Sequence, residues 1–136
     1  MVRPSNNLPE MFIDPVDAAQ SIGRGLSAAK FRQFQKYSML SLETLSKAIN
    51  LPLRTLHRRG SQGRLSPDES DRLYRLATVF HKAVDFFDGD VAAAKQWLST
   101  PAPALGSKAP LDLINTYPGA RAVESLIGQL EHGVFP

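Results

Sequence analysis

Apolar residues recur along this chain at gaps of three and four, and alternating apolar–polar runs are nearly absent. That period belongs to helices with one buried face, so the expected fold is all-α, with about six to eight helices. A first helix should open near Pro15, loosen around Gly23 and Gly25, and restart at Ser27, after which Phe31, Phe34 and Tyr37 recur at helical spacing. Ser41 should cap a short helix carrying Leu42, Leu45 and Ala48. A tight turn at Asn50 precedes a helix from Leu53 to about Arg59, ended by Gly60 and Gly63. "SPDES" supplies Ser66 as N-cap, Pro67 in the first turn and Glu69 to close a capping box. The long helix that follows aligns Leu73, Leu76, Ala77, Phe80, Val84 and Phe87, and Gly89 stops it near Asp88. Asp90 then caps "VAAAKQWL", Pro101 and Pro103 end that helix, and Pro110 opens a short "PLDLIN" helix. A last helix, capped by Thr116 or Tyr117, carries Val123, Leu126, Ile127 and Leu130 up to Gly133. Leu45, Leu56, Leu76, Phe80, Val84, Leu113, Leu126 and Leu130 are expected in the core.

The chain has 136 residues, enough for a real core, and 43% of them are hydrophobic against 21% charged, which places it among globular chains. It has no cysteine, so a thiol nucleophile or disulfide framework is excluded. No apolar leader opens the sequence and no apolar run approaches the ~18 residues of a membrane span, so a cytoplasmic protein without membrane contact is expected. Net charge is +3, but unevenly laid out. Residues 1–65 hold 10 Lys/Arg against 4 Asp/Glu, residues 66–136 hold 6 against 9, and no acid occurs from Thr44 to Pro67. A basic first half suggests a polyanionic partner.

Catalysis is not expected. His57, His81 and His132 stand in no metal-ligand spacing, and Asp85, Asp88 and Asp90 straddle a helix end and a helix start without the spacing of a calcium loop, with capping accounting for Asp90. "GRGL" at Gly23–Leu26 lacks the preceding strand of a phosphate loop. No catalytic residue, metal site or cofactor is therefore assigned.

Thr44–Arg59, "TLSKAINLPLRTLHRR", resembles the helix-turn-helix of the Xre/phage-repressor class, whose pattern runs roughly E-L-A-x-x-L-G-L-S-x-x-T-L-x-R-R. Leu45, Ile49, Leu51 and Leu56 would be its anchors; Ser46 replaces a small Ala, Asn50 the turn Gly, and Pro52 the Ser cap. The second helix of such a motif enters the major groove. Arg54 and Arg58, four apart, share a face and suit bidentate pairing with guanine. Thr55 can reach phosphate or base, His57 and Arg59 flank it for phosphate, and Lys47 and Arg64 extend the basic rim. Double-stranded operator DNA is the implied partner, bound as a homodimer, with Phe31 and Phe34 either at the dimer interface or in the subunit core.

Downstream, Ala94, Trp97, Leu98, Pro101, Leu105, Gly106, Pro110, Leu111, Asp112, Leu113 and Ile114, then Gly119, Val123, Leu126, Glu131, His132 and Gly133, resemble the toxin-binding region of the Xre/MbcA/ParS antitoxin family. The resemblance implies a type II antitoxin that covers the active site of a RES-domain, NAD⁺-consuming toxin and represses its operon. Trp97, Leu98, Leu111, Arg121, Glu131, Val134 and Phe135 are the candidate toxin contacts, with a core role the favoured alternative for Trp97. The implied organisation is an arm (1–13), a helix-turn-helix module (14–65) and a toxin-binding module (66–136), packed together. The alternative is a stand-alone dimeric transcription regulator.

Overall fold

The computed structural model describes residues 14–133; the arm expected at 1–13 and the candidate contacts Val134 and Phe135 lie outside them. The fold is all-α, and the described residues form seven α-helices. They are α1 (Pro15–Arg24), α2 (Ala28–Ser38), α3 (Leu42–Ala48), α4 (Leu53–Gln62), α5 (Pro67–Phe86), α6 (Val91–Leu98) and α7 (Tyr117–Glu131). Two short 3₁₀ turns, Pro103–Leu105 and Pro110–Asp112, connect α6 to α7.

The starts of the helices follow local chemistry. Asp14, Ser27, Ser41, Ser66, Asp90 and Thr116 each accept a backbone N–H of the first turn, which satisfies amides that have no partner inside the helix. Ser66 and Glu69 form the reciprocal capping box. The ends differ slightly from the sequence reading. Gly60 lies inside α4, which runs on to Gly63 at φ 100°. α5 stops at Phe86, because Asp88 and Gly89 both take positive φ. Only the first turn of "PLDLIN" is helical.

α5 is the spine. It packs against α1 and α2 on the N-terminal side and against α6 and α7 on the C-terminal side. One continuous apolar cluster runs from Leu26 and Phe34 through Leu73, Leu76 and Phe80 to Leu98, Val123 and Ile127. Within it Phe80 meets Phe34 and Tyr37 edge-on, each at 5.8 Å between centroids, and the Phe34 and Tyr37 rings lie tilted at 6.3 Å. Leu45, Leu56, Leu76, Phe80, Val84 and Leu126 are buried as expected, whereas Leu113 and Leu130 are half-buried. Leu130 lies in the last turn of α7. Phe31 and Phe34 belong to the subunit's own core, which removes them from any dimer interface.

Candidate functional site

α3 and α4 form a tight helix-turn-helix. Asn50 takes φ 51°, the left-handed turn conformation that Asn tolerates better than most residues. The Leu51 amide donates to the Ser46 carbonyl at 2.9 Å, and the Ser46 hydroxyl donates to the Leu51 carbonyl at 2.6 Å. The serine that stands at a small-residue position thus closes the turn from both sides. Leu45, Ile49, Leu51 and Leu56 are all buried beneath it.

With these anchors inside, α4 turns Arg54, His57, Arg58 and Ser61 outward as one stripe. Neither Arg54 nor Arg58 has an ion-pair partner among the described residues. Lys47 is exposed at the end of α3, and Thr55 is half-turned into the protein. The other two expected cations are differently placed. Arg59 points back to α5, where its Nε and terminal nitrogen donate to Glu69 at 2.9 and 3.1 Å. Its guanidinium is therefore committed to holding α4 on α5. Arg64 donates to the Gly25 carbonyl at 2.7 Å, tying the α4–α5 link to the α1–α2 link.

Glu69 is a partner that sequence spacing did not reveal beyond its capping role. Burial alone would raise its carboxyl, but hydrogen bonds from Arg59 and from the Ser66 amide, with the Arg59 charge, outweigh burial and hold it below the usual range. The same pair raises Arg59. Arg72 adds a second tether, donating to the Asn50 carbonyl at 3.4 Å. Ten and 22 residues separate these pairs, so no periodic signal could have found them.

The C-terminal candidates divide in the same way. Leu98 is 0% exposed and Leu111 6%, so both sit in the core. The reason is the Pro101–Pro110 connection, which folds back under α6 through a single bridge between Ala102 and Lys108 and carries Leu111 inward. Trp97 is half-buried against the same core. Arg121 and Glu131 are exposed on α7. Positions 117, 121, 124, 128 and 131, at gaps of four and three, line one face of that helix. Arg121 lies over the Tyr117 ring at 6.0 Å, a contact that offsets its poor placement near the helix N-terminus. Thr116 is the cap, and Tyr117, expected from the sequence only as an alternative cap, is 62% exposed. A shallow cavity of about 220 Å³ opens beside it between α5 and α7, lined by Tyr74, Thr78 and Ala120 with Asp71, Arg75 and Glu124.

Among the described residues no group of His, Asp and Glu could hold a metal ion, and no helix is long and apolar enough to cross a membrane.

The surface thus combines an exposed basic helix with a second, separate helical face. The family model for the antitoxin Xre-like helix-turn-helix domain matches residues 17–77, and that for the antitoxin Xre/MbcA/ParS C-terminal toxin-binding domain matches residues 82–133. An antitoxin Xre of Yersinia enterocolitica is 40% identical over 116 residues, covering 85% of this chain and 78% of the relative. The chain belongs to the Xre antitoxin family. An antitoxin Xre of Photorhabdus laumondii is 33% identical over 83% of this chain and 77% of its own length. A Prs ADP-ribosylating antitoxin of Sphingobium is 28% identical over 89% of this chain and 82% of its own. The two matched regions of the antitoxin meet inside α5, between residues 77 and 82, so both modules share the spine helix.

Proposed function

We propose that this antitoxin neutralises a RES-domain, NAD⁺-consuming toxin with the outer face of α7 and the tail beyond it, and represses its own operon as a homodimer bound to operator DNA. The observation that carries the DNA half is the Arg54–Arg58 stripe, without an ion-pair partner among the described residues, on a helix whose other side is anchored in the core. An Arg fork on such a helix reads guanine at about 1–3 kcal/mol of discrimination. Dimeric binding follows from the short reach of one groove helix, since two-fold pairs read half-sites about 34–36 Å apart. Support for the toxin half is the match to a toxin-binding domain over residues 82–133. The ADP-ribosylating chemistry in the name of the Sphingobium relative supports an NAD⁺-linked partner. Tyr117, Arg121 and Glu131 offer an aromatic, a cation and an anion on one rigid face, and Val134 and Phe135 follow in the sequence as apolar candidates. The net negative charge of residues 66–136 favours approach to a basic, phosphate-binding cleft, chiefly through the association rate.

The test separates the halves. Arg54→Ala and Arg58→Ala should weaken gel-shift affinity for the DNA upstream of the gene and still protect cells co-expressing the toxin. Truncation after Leu130 should keep DNA binding and allow cellular NAD⁺ to fall. Full protection by a folded truncated chain would remove the tail from the contact. A strictly monomeric mass by light scattering, with and without operator DNA, would remove the dimer.

A further inference from the structure

The links α1–α2 and α4–α5 lie side by side and build a pocket that the groove helix does not use. Leu65 N–H donates to the Leu26 carbonyl at 2.9 Å, Ala28 N–H donates to the Gly63 carbonyl at 2.7 Å, and Ser27 and Arg64 form an antiparallel bridge. The approach is so close that a Cβ on Gly25 would run into the Leu65 carbonyl oxygen, and Gly25 also takes φ 86°. The cavity beside this bridge measures about 220 Å³. A water's share of liquid volume is about 30 Å³, so a tetrahedral oxyanion and several waters fit.

Its chemistry is one-sided. Arg24, Lys30 and Arg64 line it with Ser21, Leu26, Ser27 and Gly25, and among the described residues no carboxylate does. Arg24 and Lys30 have no ion-pair partner among the described residues, and the Arg64 guanidinium, after its bond to Gly25, retains further donors. Three cations converging without an acid repel one another, a cost that an anion between them reverses. Place then selects the anion. Arg64 follows the exposed Arg58 by six residues, and Arg32 of α2 donates to the Gly60 carbonyl at 3.2 Å, so the first turns of α2 lie along the end of α4. α4 is about 15 Å long and the major groove about 12 Å wide, so the end of a helix lying in the groove reaches the phosphates at its edge.

We propose that the Arg24–Lys30–Arg64 pocket holds one phosphate of the DNA strand bordering the groove helix, making Arg24 and Lys30 backbone-contact residues; this rests on the DNA-binding reading above. The ligand chemistry, a phosphate oxyanion, could also be met by free phosphate, and the experiment separates the two sources. Binding of the full chain is measured by fluorescence anisotropy on the duplex upstream of its gene and on a scrambled duplex, from about 50 to about 200 mM salt. The double variant Arg24→Gln/Lys30→Gln leaves Arg64 and its tie to Gly25 in place. It should lower affinity on both duplexes alike, about fivefold near 0.15 M salt, and flatten the log–log salt slope by about 0.9, the release expected for one phosphate. Arg24→Lys/Lys30→Arg should restore both. Unchanged affinity and slope in the Gln variant, with wild type binding normally, would overturn the pocket assignment alone. Absence of any salt-dependent DNA binding by wild type would instead bring down the groove-helix reading. In a parallel arm, inorganic phosphate is titrated into the DNA-free chain and followed by the amide resonances of Gly25–Ser27. Saturation in wild type but not in the Gln variant, with DNA affinity unaffected, would make soluble phosphate the occupant and overturn the DNA assignment.

Discussion

Arg58 and Arg59 are neighbours in the chain with opposite surroundings. Arg58 faces outward, while Arg59 is bidentate to Glu69. Arg59→Ala should therefore lower the melting temperature with little change in salt slope on DNA, and Arg58→Ala should do the reverse. Glu69→Ala removes both the pair and half of the capping box, an expected loss of about 1–3 kcal/mol in urea titrations. The pH dependence has a definite sign. The folded-state pKa of Glu69 lies below its ordinary value of 4.5, so its stabilisation is complete above about pH 4.5 and is lost as pH falls further. Glu69→Gln should flatten the acid limb of a urea-midpoint profile. Tyr37 works at the other end. Burial, with the Asp85 charge, pushes its phenol up from 10.0 to about 12. Stability present below pH 10 is then lost as pH rises towards 12, and a tyrosinate absorbance step near pH 12 should vanish in Tyr37→Phe.

At the scale of elements, α7 is set on the molecule by the contact at its start. Thr116 accepts the Gly119 amide at 3.1 Å, and a Cβ on Gly119 would collide with the Leu113 carbonyl oxygen. That oxygen is backbone, held by the turn after Pro110, and cannot swing away as a side chain would. Gly128, in the interior of the same helix, has nothing within 4 Å of a built Cβ. The two glycines should thus respond oppositely to alanine. Gly128→Ala is expected to stabilise by about 0.5–1 kcal/mol through helix propensity. Gly119→Ala should destabilise by more than that and weaken toxin protection, because it displaces the first turn carrying Tyr117 and Arg121. Equal melting temperatures for the two variants would contradict this placement of α7.

Across the whole molecule, the antitoxin has one core under two functional faces. α5 contributes Leu73, Leu76, Phe80 and Val84 to a single cluster, with Phe80 edge-on to Phe34 and Tyr37 of α2, and the helix packs against α1, α2, α6 and α7. Cutting between the matched regions would divide that helix and open the cluster on both sides. Heat should therefore unfold the chain in a single transition, with calorimetric and van't Hoff enthalpies equal. Two resolved transitions would show modules that fold independently.

Much of this was legible from residues alone. Helix starts are local events: Ser41, Ser66 and Asp90 each cap an amide three residues on, and the gaps of three and four along α5 name its buried stripe. The helix-turn-helix was legible too, since a left-handed Asn50 and the spacing of Leu45, Ile49, Leu51 and Leu56 are properties of one short segment. The tertiary structure decided which cations are free. Arg54, Arg58 and Arg59 read alike in a basic run, and only the return of α5 beneath α4 gives Arg59 a carboxylate. It also decided that Leu98 and Leu111 belong inside, because a Pro-rich connection can fold either outward or under its neighbour, and packing against α6 settles the choice. The pocket of Arg24, Lys30 and Arg64 has the same origin: its walls come from two links far apart in the chain, from Ser21 to Arg64, brought together because Gly25 lets two backbones approach within hydrogen-bonding distance.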